Sequence, residues 1–167
     1  IYNMLEPHPG RQIMDEGEAG GSARTRYLIR VTHSSGMLEG KYTADTVFPP
    51  NDHRNHRPKS WLINGLKKIE TLQFLVGPGR TLGQAALQWL LADPRVACCL
   101  PNIYEEAQLR EFAAASDSPA LTPEELRRVD ELARTNFGIP DETHNYKGTM
   151  TRGPADGGQA SPALATA

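Results

Sequence analysis

Residues 80–112 read RTLGQAALQWLLADPRVACCLPNIYEEAQLREF, and this stretch decides the fold. Thr81 and Gln84 stand at the spacing of a capping box, in which each side chain satisfies an orphan backbone N–H of a first helical turn. Leu82, Ala85, Ala86, Trp89 and Leu90 then recur at helical spacing and form one apolar face. Asp93-Pro94 stops that helix, because proline lacks a donor and pushes the residue before it out of the α region. Val96–Leu100 is an uninterrupted apolar run of strand length, the pattern of a strand buried on both faces. Pro101-Asn102 ends it. Glu105, Glu106 and Ala107 open the next helix, with acids in the first turn where the helix dipole favours them. Helix, parallel-type strand, turn and helix make one α/β repeat.

Working outward, Leu121–Glu125 opens a final helix: Thr122 is the cap, Pro123 takes the first helical position, and Glu125 completes a second capping box. Leu126, Val129 and Leu132 are its buried stripe. Upstream, Ser60 caps a helix over 61–76 with Leu62, Leu66, Ile69 and Leu72 on its apolar side, and Gly77-Pro78-Gly79 ends it. Tyr27–Val31 reads as a strand and Ile1–Leu5 as the end of an earlier one. Between them residues 12–26 are atypical. Asp15–Arg26, DEGEAGGSARTR, has three glycines and no apolar stripe, the composition of a flexible linker. From Gly148 to Ala167 the chain is rich in Gly, Ala, Pro and Ser and reads as a disordered tail, leaving residues 1–147 as the structured part.

A chain of 167 residues is long enough for one domain with a real core. A formal net charge of −2 gives no reason to expect nucleic acid or an anionic membrane as partner. No apolar run approaches the roughly 20 residues of a membrane span. Cys98 and Cys99 are adjacent in the expected strand, so they point to opposite faces and are poorly placed to pair with each other. They read as inert core thiols, and reduced thiols fit a cytoplasmic protein. Asp52, His53 and His56 match no standard zinc spacing and no cysteine joins them, so no metal site is expected.

The order and spacing of these pieces over residues 27–149 resembles the aldo-keto reductases, with Ser34–Lys41 and Phe48–Arg54 strengthening the likeness and residues 1–11 resembling an earlier piece. Members of that family are (β/α)8 TIM barrels that use NADP(H) to reduce carbonyl compounds. A complete barrel takes about 250 residues. The resemblance therefore implies an α/β chain forming the C-terminal portion of a TIM barrel, about three strands with their helices. It also implies a cofactor site for NADP(H), with NAD(H) as the other choice. By that correspondence Val31, His33, Ser34 and Ser35 line the pyrophosphate path and Lys41 supplies a point charge. Arg30 falls where many relatives stack an aromatic ring on the nicotinamide, and Arg54 reaches a phosphate from the loop after the strand. Gln108 and Glu111, at i and i+3 on one helix face, take the 2′-phosphate region and the adenine amino group, with Asn102 and Tyr104 in the turn near the 2′-phosphate. The residue after Glu111, commonly Asn in the family, is Phe112 here. Without the resemblance, His33 reads as a loop histidine, Arg54 as part of a solvated basic loop, and Lys41 and Glu111 as solvated surface charges.

The family's catalytic tyrosine, lysine, aspartate and histidine lie in the first half of its barrel. None of Tyr2, Tyr27, Tyr42, Tyr104 or Tyr146 sits in that motif, so no catalytic role is assigned. The expectation is a cofactor-binding C-terminal part of a carbonyl reductase, inactive alone, its small-molecule substrate belonging to the full-length parent. The alternatives are a non-catalytic binding or regulatory subunit and a truncated product without function.

Overall fold

The computed structural model describes residues 1–21 and 24–140. Its centre is a parallel pair of strands, β1 (Tyr27–Arg30) and β2 (Val96–Leu100), with Leu28 opposite Cys98, Ile29 opposite Cys99 and Arg30 opposite Leu100. Parallel strands require a crossover between them. Here it carries α2 (Lys59–Thr71) and α3 (Leu82–Leu91). After β2 come α4 (Glu106–Ala113) and α5 (Pro123–Arg134), and α1 (Gly10–Ala19) precedes β1.

Helix α3 is the hub. Both halves of its capping box form, Gln84 N–H donating to Thr81 Oγ1 at 3.1 Å and Thr81 N–H to Gln84 Oε1 at 3.0 Å. Its residues Leu82 to Leu87, Trp89 and Leu90 are buried nearly all round, as expected for a helix apolar on every side. It packs on β2, on α4 and on the short 3-10 turn Met37–Glu39. Met4, Leu38, Leu72, Leu75 and Val129 are fully buried in the same core, and Tyr2 lies 5.0 Å from Trp89, ring centre to ring centre. The second expected box also forms in full at Thr122 and Glu125, with Val129 buried as the stripe required. Arg80 locks this helix down. Its guanidinium donates to the Glu125 carboxylate, to Leu75 O at 2.8 Å and to Pro119 O at 3.1 Å.

Several expectations need correction. The described residues hold two strands rather than three, because the Ile1–Leu5 piece closes into a turn. Asn3 and Glu6 exchange backbone bonds of 3.3 and 3.1 Å, and Asn3 Oδ1 accepts from the Leu5 and Glu6 amides, the local pairing by which asparagine favours turns. Residues 10–19, whose later half was expected to be linker, form α1. Only Met14 is buried there, so no stripe was visible. The helix is held through its charges, Arg11 meeting Asp130 at 2.9 Å and Asp15 meeting Arg95 at 2.6 Å. Gly17 lies under Tyr27, whose hydroxyl a Cβ would meet at 2.7 Å. Tertiary ties here override weak helix propensity.

Helix α2 starts after Pro58 without a side-chain cap, so Ser60 plays no capping part, and it ends at Thr71. A 3-10 turn at Gln73–Leu75 follows, and Leu72 and Leu75 are both fully buried. In β2 only Val96 is buried, while Leu28 in β1 and Leu100 in β2 are 64% and 48% exposed. Burial on both faces is thus not realised among the described residues. Cys98 and Cys99 are free and half-buried rather than in the core. The expected tail at 148–167 and Tyr146 lie outside the described residues. No helix among the described residues is long and apolar enough to cross a membrane.

Candidate cofactor site

The residues that leave the carboxyl ends of β1 and β2 converge on one open cleft, the place where α/β sheets bind ligands. On the β1 side the chain turns through left-handed backbone at Val31 (φ 59°), Ser34 (φ 48°), Ser35 (φ 58°) and Gly36 (φ 89°). Each such residue with a Cβ costs about 1–2 kcal/mol, so the segment must be held by its surroundings. Asn3 Nδ2 donates to Val31 O at 3.1 Å, Ser34 Oγ to Glu6 Oε2 at 3.1 Å, and Tyr42 OH to Ser35 O at 2.8 Å. Gly36 is required by space as well as by φ, since a Cβ there would stand 2.3 Å from the Tyr42 hydroxyl.

Of the expected site residues, Val31, His33, Ser35, Arg54, Asn102 and Tyr104 line the cleft, joined by Thr32, Gly36, Glu39 and His53. Arg54 is aimed by its neighbours. Its Nε donates to Asp52 Oδ1 at 2.8 Å, Nη2 to Asp52 Oδ2, and Nη1 to the Tyr42 hydroxyl. A guanidinium carries five N–H groups, so two remain for an anion in the cleft. The same fork holds the Asp52 carboxyl well below the usual carboxylate range. Burial pushes the Tyr42 hydroxyl up, which keeps it a neutral donor to Ser35. Among the described residues no three His, Cys, Asp or Glu side chains gather as a metal set.

His33 is a packed residue. Its Nε2 lies 3.1 Å from Gly83 O, a pure acceptor, so that nitrogen carries the proton, and Nδ1 then accepts from Thr32 Oγ1 at 3.2 Å. Burial pushes its pKa down, so the ring is neutral at ordinary pH. Its face stacks on Phe112 with centroids 4.4 Å apart.

The remaining expected residues are distributed differently. Ser34 is buried and spends its hydroxyl on Glu6. Arg30 does not line the cleft but a second depression, with Ile1, Tyr2, Ile13 and Leu28. Lys41 sits at the rim, 3.6 Å from both Glu39 and Glu105. Gln108 is buried and bridges, its Nε2 donating to Glu39 Oε2 at 2.8 Å and its Oε1 accepting from the Tyr104 amide at 2.8 Å. Glu111 accepts from Thr81 Oγ1 at 2.7 Å, which fixes its carboxylate over the start of α3. Sequence reasoning missed Asn3, Glu6, Tyr42 and Glu39. Asn3 and Glu6 could have been found from their turn spacing, but Glu39 meets Gln108 across 69 residues and leaves no local signal.

The cleft presents one anchored cation and exposed polar groups. Arg54 is pre-aimed with two N–H groups to spare, and Asn102 and Tyr104 stand exposed.

Residues 26–134 match the model of the aldo/keto reductase family. The chain belongs to that family. This aldo-keto reductase chain is similar to a probable voltage-gated potassium channel subunit beta of Oryza sativa subsp. japonica, 28% identical over 121 residues that cover 68% of this chain and 36% of the relative. It is also similar to an L-glyceraldehyde 3-phosphate reductase of Escherichia coli O157:H7, 31% identical over 108 residues, 59% of this chain and 30% of the relative. The chain thus spans about a third of the length of the curated relatives it matches. Among solved structures, a glycerol dehydrogenase of Gluconobacter oxydans superposes with a TM-score of 0.64 at 21% identity, over 86% of this chain and 43% of that one. An aldo-keto reductase of Bacillus halodurans in its holo form gives 0.52 at 22% identity, over 79% and 40%. The two parallel strands and their helices are an incomplete portion of that family's (β/α)8 TIM barrel.

Proposed function

We propose that this chain is the cofactor-binding C-terminal part of an aldo-keto reductase whose parent reduces aldehydes and ketones to alcohols with a nicotinamide dinucleotide. The observation that carries the reading is the convergence of Val31, His33, Ser35, Arg54, Asn102 and Tyr104 in one cleft at the carboxyl ends of two parallel strands. The bound nicotinamide supplies hydride to the carbonyl carbon. This chain's residues bind and orient. Arg54, steadied by Asp52 and Tyr42, would pair with the diphosphate, and the turn at Val31–Gly36 lets the backbone approach it closely. Glu111, fixed by Thr81, would accept from the adenine amino group.

Proton donation to the carbonyl oxygen is assigned to a residue outside the chain. Tyr2 is buried against Trp89, and the Tyr42 hydroxyl is committed to Ser35 and Arg54. Two free cysteines suit a cytoplasmic setting. A second reading, a non-catalytic binding or regulatory subunit, is favoured by the likeness to the channel β subunits.

The test is oxidation of NADPH and NADH with a reactive aromatic aldehyde, by the chain alone and with a separately expressed N-terminal barrel half. Turnover only in the presence of that half is expected. Binding of dinucleotide without turnover in the reconstituted pair would favour the regulatory reading. Robust turnover by the chain alone would overturn the assignment of the proton donor.

A further inference from the structure

The end of the cleft read as the adenosine end carries a carboxylate in its lining. Glu39 lines the cleft beside Asn102 and Tyr104, its side chain only 11% exposed. Its Oε2 accepts from Gln108 Nε2 at 2.8 Å and lies 3.6 Å from Lys41 Nζ. Its Oε1 takes part in no hydrogen bond among the described residues. Gln108 is thereby held with its donor turned to a carboxylate. The nearby Lys41 is shared between Glu39 and Glu105. His53, on the same wall, is an exposed ring 3.7 Å from Asp52. Two carboxylates, Glu39 and Glu105, therefore share one lysine around this end.

A phosphate on the adenosine ribose needs charge-assisted donors. At this place it would meet Glu39 within reach of the residue meant to bind it. A ribose 2′-hydroxyl is a donor, and an acid that accepts from it is the general means by which dinucleotide sites choose the unphosphorylated ribose. We propose that Glu39 is a specificity-determining residue that selects NAD(H) over NADP(H). Its Oε1 accepts from the ribose 2′-hydroxyl while its charge excludes a 2′-phosphate, and Gln108 orients it. The inference rests on the dinucleotide reading of the cleft and names the ribose that the cleft prefers.

The experiment is a calorimetric titration of the full 167-residue chain with NADH and with NADPH, on wild type and Glu39→Gln, at low and moderate salt. Gln keeps the shape and a bond to Gln108, and circular dichroism verifies that the variant is folded. Wild type is expected to bind NADH at least about tenfold tighter than NADPH. Added salt should narrow the gap by screening the repulsion. Glu39→Gln should weaken NADH and strengthen NADPH, shrinking the ratio by about tenfold. Equal binding, tighter NADPH, or a ratio unchanged in Glu39→Gln would overturn this proposal and leave the dinucleotide site standing. Failure of both dinucleotides to bind would overturn the site and this proposal together.

Discussion

The His33 imidazole lies nearly flat on the Phe112 ring, planes 23° apart, and so joins the turn after β1 to α4. Both rings are buried, and His33 Nε2 donates in addition to Gly83 O in α3. Three elements on the cleft's floor meet at one neutral histidine.

That neutrality has a pH consequence. The native pKa of His33 lies below its ordinary value of 6.5, so in acid the unfolded chain takes up a proton that the native chain refuses. Its contribution is complete above about pH 6.5 and is lost as pH falls from there through the native pKa, with a slope of at most about 1.4 kcal/mol per pH unit. Thermal unfolding between pH 5 and 8 should show this decline in wild type and a flatter curve in His33→Leu. At pH 7.5 the variant should be less stable by about 1–2 kcal/mol, from two lost hydrogen bonds. Parallel curves would mean that the ring titrates freely.

Arg80 is expected to resist conservative replacement. It serves the Glu125 carboxylate and backbone carbonyls of Leu75, Pro119 and Ala120 at once, with a side chain only 10% exposed. Lysine has one head group where this geometry needs a fork. Arg80→Lys should lose about 2–3 kcal/mol in denaturant unfolding. An unchanged midpoint would show that α5 is held by its apolar stripe alone.

For Arg54, the expected effect is on ligand affinity and its salt dependence. Arg54→Ala should raise the dinucleotide dissociation constant, and the difference from wild type should shrink as salt is added. Tyr42→Phe should reproduce part of the loss, because it removes the hydroxyl that steadies Nη1. Equal affinity of wild type and Arg54→Ala at low salt would leave it a solvated loop residue.

The two thiols should differ in reactivity. Burial pushes the Cys99 thiol up to about 12, so almost none of it is thiolate at pH 8. Iodoacetamide at that pH should label Cys98 well ahead of Cys99, read by peptide mass analysis. Equal labelling would show that the Cys99 environment opens readily.

Much of this was legible where the signal is local. The capping boxes at Thr81 and Thr122, the stop at Pro94 and the limits of β2 follow from residues within a turn of one another, and each forms as read. Helix α1 was not legible, since Arg11 and Asp15 find partners at Asp130 and Arg95, and nothing near them in sequence announces it. Most of the cleft could be placed by resemblance, because Val31, Ser35 and Arg54 sit in recognisable segments. The state of its polar groups could not. Whether Gln108 faces a ligand or Glu39 depends on a contact across 69 residues, and Arg30 lines the second depression beside Ile1 and Tyr2 rather than the cleft.

The contact between Arg11 and Asp130 spans 119 residues. During synthesis the segment that carries Tyr2, Met4 and Met14 is made long before α5, so Arg11 waits for its partner while the stretch between them is produced. Pairings so distant in sequence make folding slow, because loop closure must come before the contact that rewards it. The N-terminal segment is therefore expected to dock late. Until it does, the apolar surface it covers on Trp89 is open to binding by chaperones.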